Sequence, residues 1–114
     1  MASGLVGWWR IEAMEVWDQE AVDLVGPAFI EIGADGIGRL SFIAVVGSID
    51  CRFGVDDGVE AVEFSWDGDD EGTPVSGRGS ASLSADGKLV GRVFFHLGDD
   101  SWFSARRVDA AELE

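Results

Sequence analysis

Three Asp-Gly pairs of this chain each stand between two short apolar runs: Asp35-Gly36, Asp57-Gly58 and Asp86-Gly87. Asp-Gly is the favoured pair for a two-residue hairpin turn, because both turn residues need a positive φ. The apolar residues show no convincing heptad or 3.6-residue stripe that would indicate long helices. The sequence therefore predicts an all-β chain with three tight hairpins.

The short apolar runs predict about eight strands. They cover residues 5–17, 27–33, 37–46, 49–54, 59–66, 78–85, 88–96 and 102–108. The remaining links are then residues 18–26, Gly47-Ser48, 67–77 and 97–101. Within the first of these, residues 18–25 are expected to form a short helix capped by Asp18.

The size of the chain favours a single domain over residues 1–114. Hydrophobic residues make up 46% of the sequence, including seven Phe and five Trp, which is enough for one packed core. Cys51 is the only cysteine, so no internal disulfide is expected. With no signal-like or membrane-spanning run, we expect a soluble cytoplasmic protein.

The net charge of −14, from 22 acidic and 8 basic residues, limits the classes of partner. A chain of this charge repels phosphates, so nucleic acid and anionic membrane surfaces are not expected partners. It attracts cationic ligands and basic protein surfaces. Solubility alone is the alternative explanation for the acidity.

An up-and-down meander would place successive links at alternating ends of the sheet. The three Asp-Gly turns then share one end, and the longer links share the other. Those longer links carry tryptophans beside carboxylates, a combination that suggests a rim with exposed indole rings. The candidate binding residues are Trp17, Asp18, Trp66, Asp67, Asp69, Asp70, Glu71, Asp99, Asp100 and Trp102.

A Gly-x-Trp segment near the start of the chain and an arginine pair near its end together resemble the lipocalin-type barrel signature. Gly7, Trp8 and Trp9 lie early in the first strand, and Arg106 and Arg107 end the last one. The resemblance implies a small closed or nearly closed calycin-like barrel, in which a first-strand Trp packs under the floor against a basic residue of the last strand. Such a barrel is filled by side chains or holds one small ligand.

A second resemblance covers nearly the whole chain. The pattern is Trp9-Arg10-Ile11, Met14-Glu15, Trp17-Asp18, Glu63-Phe64-Ser65-Trp66 through Asp70-Glu71, Pro74 to Gly79, and His96 to Trp102 with Ala105. It is similar to a widespread family of small bacterial proteins. That family has no assigned activity, so the resemblance implies a bacterial origin and a stand-alone domain, and it supplies no catalytic residues.

We interpret the chain as a non-enzymatic binding domain without metal or cofactor, whose acidic, tryptophan-rich end receives a cationic ligand or a basic protein surface. One alternative is an enzyme with a small pocket that uses His96 with a carboxylate. A filled, purely structural barrel is another. A loose calcium site shared by the loop of Asp67, Asp69 and Glu71 with Asp99 and Asp100 is a further possibility.

Overall fold

A computed structural model describes residues 4–113, in which eight antiparallel strands form a closed barrel in chain order. The strands are β1 (Gly7–Met14), β2 (Phe29–Ile32), β3 (Ile37–Phe42), β4 (Val45–Asp56), β5 (Val59–Asp70), β6 (Thr73–Leu83), β7 (Leu89–Phe95) and β8 (Asp100–Val108). Pairing of β1 with β8 closes the barrel. The predicted all-β up-and-down barrel is confirmed, while residues 1–3 and 114 of the expected domain lie outside the described residues.

The two ends of the barrel carry different kinds of link. All three Asp-Gly turns lie at one end, here called the turn end, and their glycines adopt φ values of +85°, +80° and +84°. The other end, here called the loop end, carries residues 15–28, 43–44, 71–72 and 96–99. The predicted separation of the Asp-Gly turns from the other links is confirmed.

Two of the predicted links are wrong. Gly47-Ser48 lies inside β4, and the chain turns instead at Ile43-Ala44. Residues 67–77 do not form a long loop, because β5 and β6 run on to a two-residue turn at Glu71-Gly72. Gly47 and Gly68 face each other across β4 and β5, where a Cβ on Gly68 would lie 2.6 Å from the Gly47 Cα. These glycines mark a close approach of two strands, not turns.

The predicted short helix is present as α1 (Gln19–Val22), in the link between β1 and β2. Asp18 caps it by accepting a hydrogen bond from the Ala21 backbone N–H at 2.9 Å. Val22 is buried, and its carbonyl accepts from the Ile43 N–H at 2.8 Å, which ties α1 to the β3–β4 turn. No helix within residues 4–113 is long and apolar enough to span a bilayer.

Inward-pointing side chains of all eight strands form the core. They include Trp9, Ile11, Ile30, Leu40, Phe42, Ile49, Phe64, Trp66, Val93 and Phe103. At the turn end, the Arg107 guanidinium lies 4.3 Å from the Trp9 ring centre and donates to the backbone carbonyls of Gly4 and Val6. The expected contact between a first-strand Trp and a last-strand base is therefore found.

Candidate functional site

Four aromatic rings, here called the aromatic cluster, close the core at the loop end. Trp66 of β5 and Phe95 of β7 meet edge to face with ring centres 5.1 Å apart. Phe42 at the end of β3 lies 5.9 Å from Phe95 and 6.3 Å from Trp66. Trp17 covers these rings from the β1–β2 link, 6.1 Å from Phe42 and 6.4 Å from Phe95. The cluster thus joins two of the three tryptophans predicted to share this end.

The expectation that these indole rings are exposed is wrong for Trp66, which is 2% exposed. Trp66 continues the inward alternation of Val62 and Phe64 along β5, so its ring lies inside the barrel. Trp17 is half-buried. Trp102 is 41% exposed and points outward from β8, away from the aromatic cluster. The three tryptophans therefore do not form one exposed surface.

The Trp66 indole nitrogen has no hydrogen-bond partner within residues 4–113, although it is shielded from solvent. Trp9, the other fully buried tryptophan, donates from its Nε1 to the Leu5 carbonyl at 2.9 Å. A buried donor left unpaired costs about 1–3 kcal/mol. The nitrogen lies against Gly77 of β6, where an added Cβ would be 2.8 Å away.

The candidate carboxylates at the loop end fall into two groups. Asp18 caps α1, Asp69 accepts from the Gly72 N–H at 2.7 Å, and Asp100 pairs with Arg92. The side chains of the other four have no hydrogen bond or ion pair within the described part of the chain: Asp67, Asp70, Glu71 and Asp99. Asp67, Asp69 and Asp70 lie on β5 and Asp100 on β8, whereas the sequence suggested loops. The unpaired group is available to a partner.

Asp23 belongs to the same end but has a structural role. Its carboxylate receives both terminal nitrogens of Arg10 at 2.9 and 2.7 Å, the Ala28 N–H and the Gln19 side-chain amide. Desolvation by burial raises the pKa of Asp23, but these hydrogen bonds together outweigh it and hold the pKa below its usual value of 3.8. The pair fixes the β1–β2 link against β1.

Exposed apolar side chains also gather near the loop end. Six of the ten large hydrophobic side chains that are exposed within residues 4–113 lie in or beside its links. They are Val16, Leu24, Val25, Val46, Leu97 and Trp102. Leu97 is 94% exposed and has a φ of +58°, so the β7–β8 link presents it to solvent. The end is thus acidic and apolar at once.

His96 follows β7 and lines two neighbouring surface hollows, of about 260 and 360 Å³. Asp67 lines the smaller one with it. The imidazole makes no hydrogen bond to a carboxylate within residues 4–113, although its backbone N–H donates to the Ser76 carbonyl at 2.7 Å. A general-base histidine is usually oriented by a hydrogen bond to a carboxylate, and His96 has no such bond among the described residues.

The calcium alternative gains no support from the geometry. Among the described residues, no group of three or more His, Cys, Asp or Glu side chains is placed to hold a metal ion. Asp67 and Asp69 point outward from β5, and Asp100 is engaged by Arg92. Cys51 is buried on β4, and burial, with the nearby Asp50 charge, raises its pKa to about 11.

Sequence reasoning missed Phe42, Phe95 and Arg78. From the sequence, Phe42 and Phe95 are indistinguishable from ordinary core residues, because nothing in it shows that their rings contact Trp17 and Trp66. Arg78 stands between Gly77 and Gly79, a pattern that indicates only a bulge or bend in a strand. Its lack of an ion pair within the described residues is a property of the fold.

A scan against protein-family models, a search of curated proteins and a search of solved structures each found no match to this chain. The resemblances to lipocalin-type barrels and to a family of small bacterial proteins therefore stay predictions.

Proposed function

We propose that this barrel is a binding module whose loop end receives a basic, partly apolar surface of another protein or a cationic ligand. The observation that carries the proposal is the gathering of Asp67, Asp70, Glu71 and Asp99, without internal partners within residues 4–113, at the end that also exposes Leu97. It extends the sequence interpretation, with Trp66 removed from the contact surface.

Electrostatics supports this end as the point of first contact. Two of the bases near it, Arg10 and Arg92, are already paired with Asp23 and Asp100, which leaves Arg78 as one unpaired base beside four unpaired carboxylates of the described chain. The remaining carboxylates therefore add to the field of a chain with net charge −14. Clustered charges of one sign raise the association rate of an oppositely charged partner, and salt weakens that effect.

The apolar side chains supply contact area that charge alone does not. Leu24, Val25 and Leu97 are exposed on the two longest links of the loop end. Trp102 adds part of an indole ring at its side. Exposed apolar groups within a polar rim are characteristic of interaction surfaces. A partner that alternates basic and apolar residues would satisfy both features.

The test compares two triple variants of equal charge. D70N/E71Q/D99N neutralises the loop end and D56N/D57N/D109N neutralises the turn end, and each raises the net charge from −14 to −11. The probe is a fluorescein-labelled amphipathic leucine–lysine peptide followed by anisotropy. We expect the loop-end triple to weaken binding about tenfold and the turn-end triple by less than about threefold.

Equal weakening by both triples would show that the net charge acts without a preferred surface. Binding that does not respond to added NaCl would remove the electrostatic part of the proposal. The Asn and Gln substitutions keep the side-chain shapes, and Asn tolerates the positive φ of Asp57.

The second candidate function is an enzyme that uses His96. It is favoured by one observation, the hollow of about 360 Å³ that His96 lines, which falls at the lower end of ligand-pocket volumes. Hydrolysis of p-nitrophenyl acetate that exceeds the rate of free imidazole and is lost in H96Q would support it. A rate equal to that of free imidazole would count against it.

A further inference from the structure

Arg78 differs from every other basic side chain of this acidic chain. Six of the eight Lys and Arg residues form ion pairs: Arg10, Arg39, Arg52, Lys88, Arg92 and Arg106. A seventh, Arg107, donates to backbone carbonyls. Arg78 has no hydrogen bond or ion pair within residues 4–113, and its guanidinium carbon lies 5.5 Å from the Phe94 ring centre. Its donors are free.

The hollow of about 360 Å³ beside Arg78 has an unusual lining for this chain. It lies where β5, β6 and β7 approach the loop end, and it is lined by Arg78, His96, two serines and the rings of Phe94 and Phe95. No Asp or Glu of the described chain lines it, although the sequence holds 22 acidic residues. Its polar groups are thus donors, or hydroxyls that can donate.

Trp66 contributes a second, independent sign of a missing acceptor. It lines the same hollow, and its Nε1–H is the buried donor without a partner described above. Gly77, also in the lining, lies so close to that nitrogen that a Cβ would not fit between them. The nitrogen is shielded from solvent in the free protein, so an acceptor reaches it only when the lining of the hollow rearranges.

We propose that this hollow binds a small organic carboxylate with an aromatic body. The guanidinium of Arg78, lying over Phe94, presents its N–H groups to the two carboxylate oxygens, a geometry that favours paired hydrogen bonds. The rings of Phe94 and Phe95 pack against the aromatic body of the ligand. The Trp66 N–H gains the acceptor that the free protein does not provide.

The net negative charge of the chain does not decide the preference of this site. Asp50 and Glu63 line a neighbouring hollow with Arg78, but neither pairs with it among the described residues, and Asp50 is engaged by Arg52. More distant exposed charges, beyond about 8 Å, are largely screened at physiological salt, whereas Arg78 would be in direct contact. The site therefore has the opposite charge preference to the loop-end carboxylates. Its carboxylate contact rests on Arg78, which the proposed function does not use, although Leu97 belongs to both surfaces.

The experiment titrates the ¹⁵N-labelled full chain with three probes that share one ring: benzoate, benzamide and benzylamine. The indole Nε1–H resonance of Trp66, assigned with W66F, reports on the buried donor. We expect a saturable shift of this resonance with benzoate, a weaker one with benzamide and none with benzylamine. R78Q should weaken benzoate about tenfold and benzamide by less than about threefold.

R39Q is the matched control, since it removes the same charge from an arginine of β3 that lines neither of the two hollows containing Arg78. It should leave benzoate affinity unchanged, which separates Arg78 from a general charge effect. Equal affinity of the wild type and R78Q for benzoate, or a Trp66 resonance that does not saturate, would overturn the proposal. So would benzylamine binding as well as benzoate.

Discussion

The Arg107 guanidinium carbon lies 4.3 Å from the centre of the Trp9 ring, and the same guanidinium donates to the Val6 carbonyl at 2.8 Å and to the Gly4 carbonyl. One side chain of β8 therefore covers a fully buried ring of β1 and holds the segment before that strand. The closing pair of strands is joined by side chains as well as by the backbone ladder.

Removing this contact should destabilise the barrel at its closing seam. We expect R107A to lower the free energy of unfolding by about 2 kcal/mol, because it removes a stacked cation and two hydrogen bonds to carbonyls. R107K should recover only part of the loss, since an ammonium cannot lie flat on the ring and reach both carbonyls. Urea unfolding followed by circular dichroism measures both.

R106A is the control for that experiment. Arg106 is exposed and pairs with Glu12 and Glu112 at 3.7 and 3.2 Å. Exposed pairs contribute about 0–1 kcal/mol, so R106A should cost clearly less than R107A. An equal cost for the two variants would contradict the assignment of Arg107.

The two fully buried tryptophans should respond differently to loss of the indole nitrogen. W9F removes the hydrogen bond to the Leu5 carbonyl and leaves that carbonyl without this donor, while W66F removes a donor that has no partner. Both lose similar ring area. We therefore expect W9F to cost about 1 kcal/mol more than W66F in urea unfolding. A larger cost for W66F would show that its Nε1 is engaged in solution.

Asp23 should make stability depend on acid pH. Its folded pKa lies below the usual 3.8, so its contribution is complete above the unfolded pKa and is lost as the pH falls through the folded value. We expect D23N to cost about 2 kcal/mol at pH 7 and progressively less below about pH 4. D99N, which alters an exposed carboxylate without a partner in the described chain, should show neither effect.

Cys51 should resist thiol reagents until the barrel opens. Its pKa of about 11 keeps the thiol protonated, and the side chain is 4% exposed. Reaction with Ellman's reagent at pH 8 should be slow in buffer and fast in urea. A raised thiol pKa also predicts a stability contribution that is complete below pH 9 and declines as the pH rises towards 11. C51A should lack that decline.

The strand order and the polarity of the links could be predicted because Asp-Gly turns and short apolar runs are local signals. Gly47-Ser48 and the stretch after Trp66 were predicted as links because glycine and aspartate are typical of loops. Both lie in strands, since the ladders with β3, β4 and β6 satisfy their backbone hydrogen-bonding groups. The burial of Trp66 follows from continuing the alternation of Val62 and Phe64. The ring contact between Trp66 and Phe95 could not be predicted in this way, since β5 and β7 are distant in sequence.

Closure of β1 against β8 also decides where the chain ends emerge. Trp8 pairs with Val108, so both ends of the described chain leave the barrel side by side at the turn end. A surface or fusion partner attached beside the start of β1 or the end of β8 would face away from the four links of the loop end. The barrel can thus be immobilised without covering its acidic face.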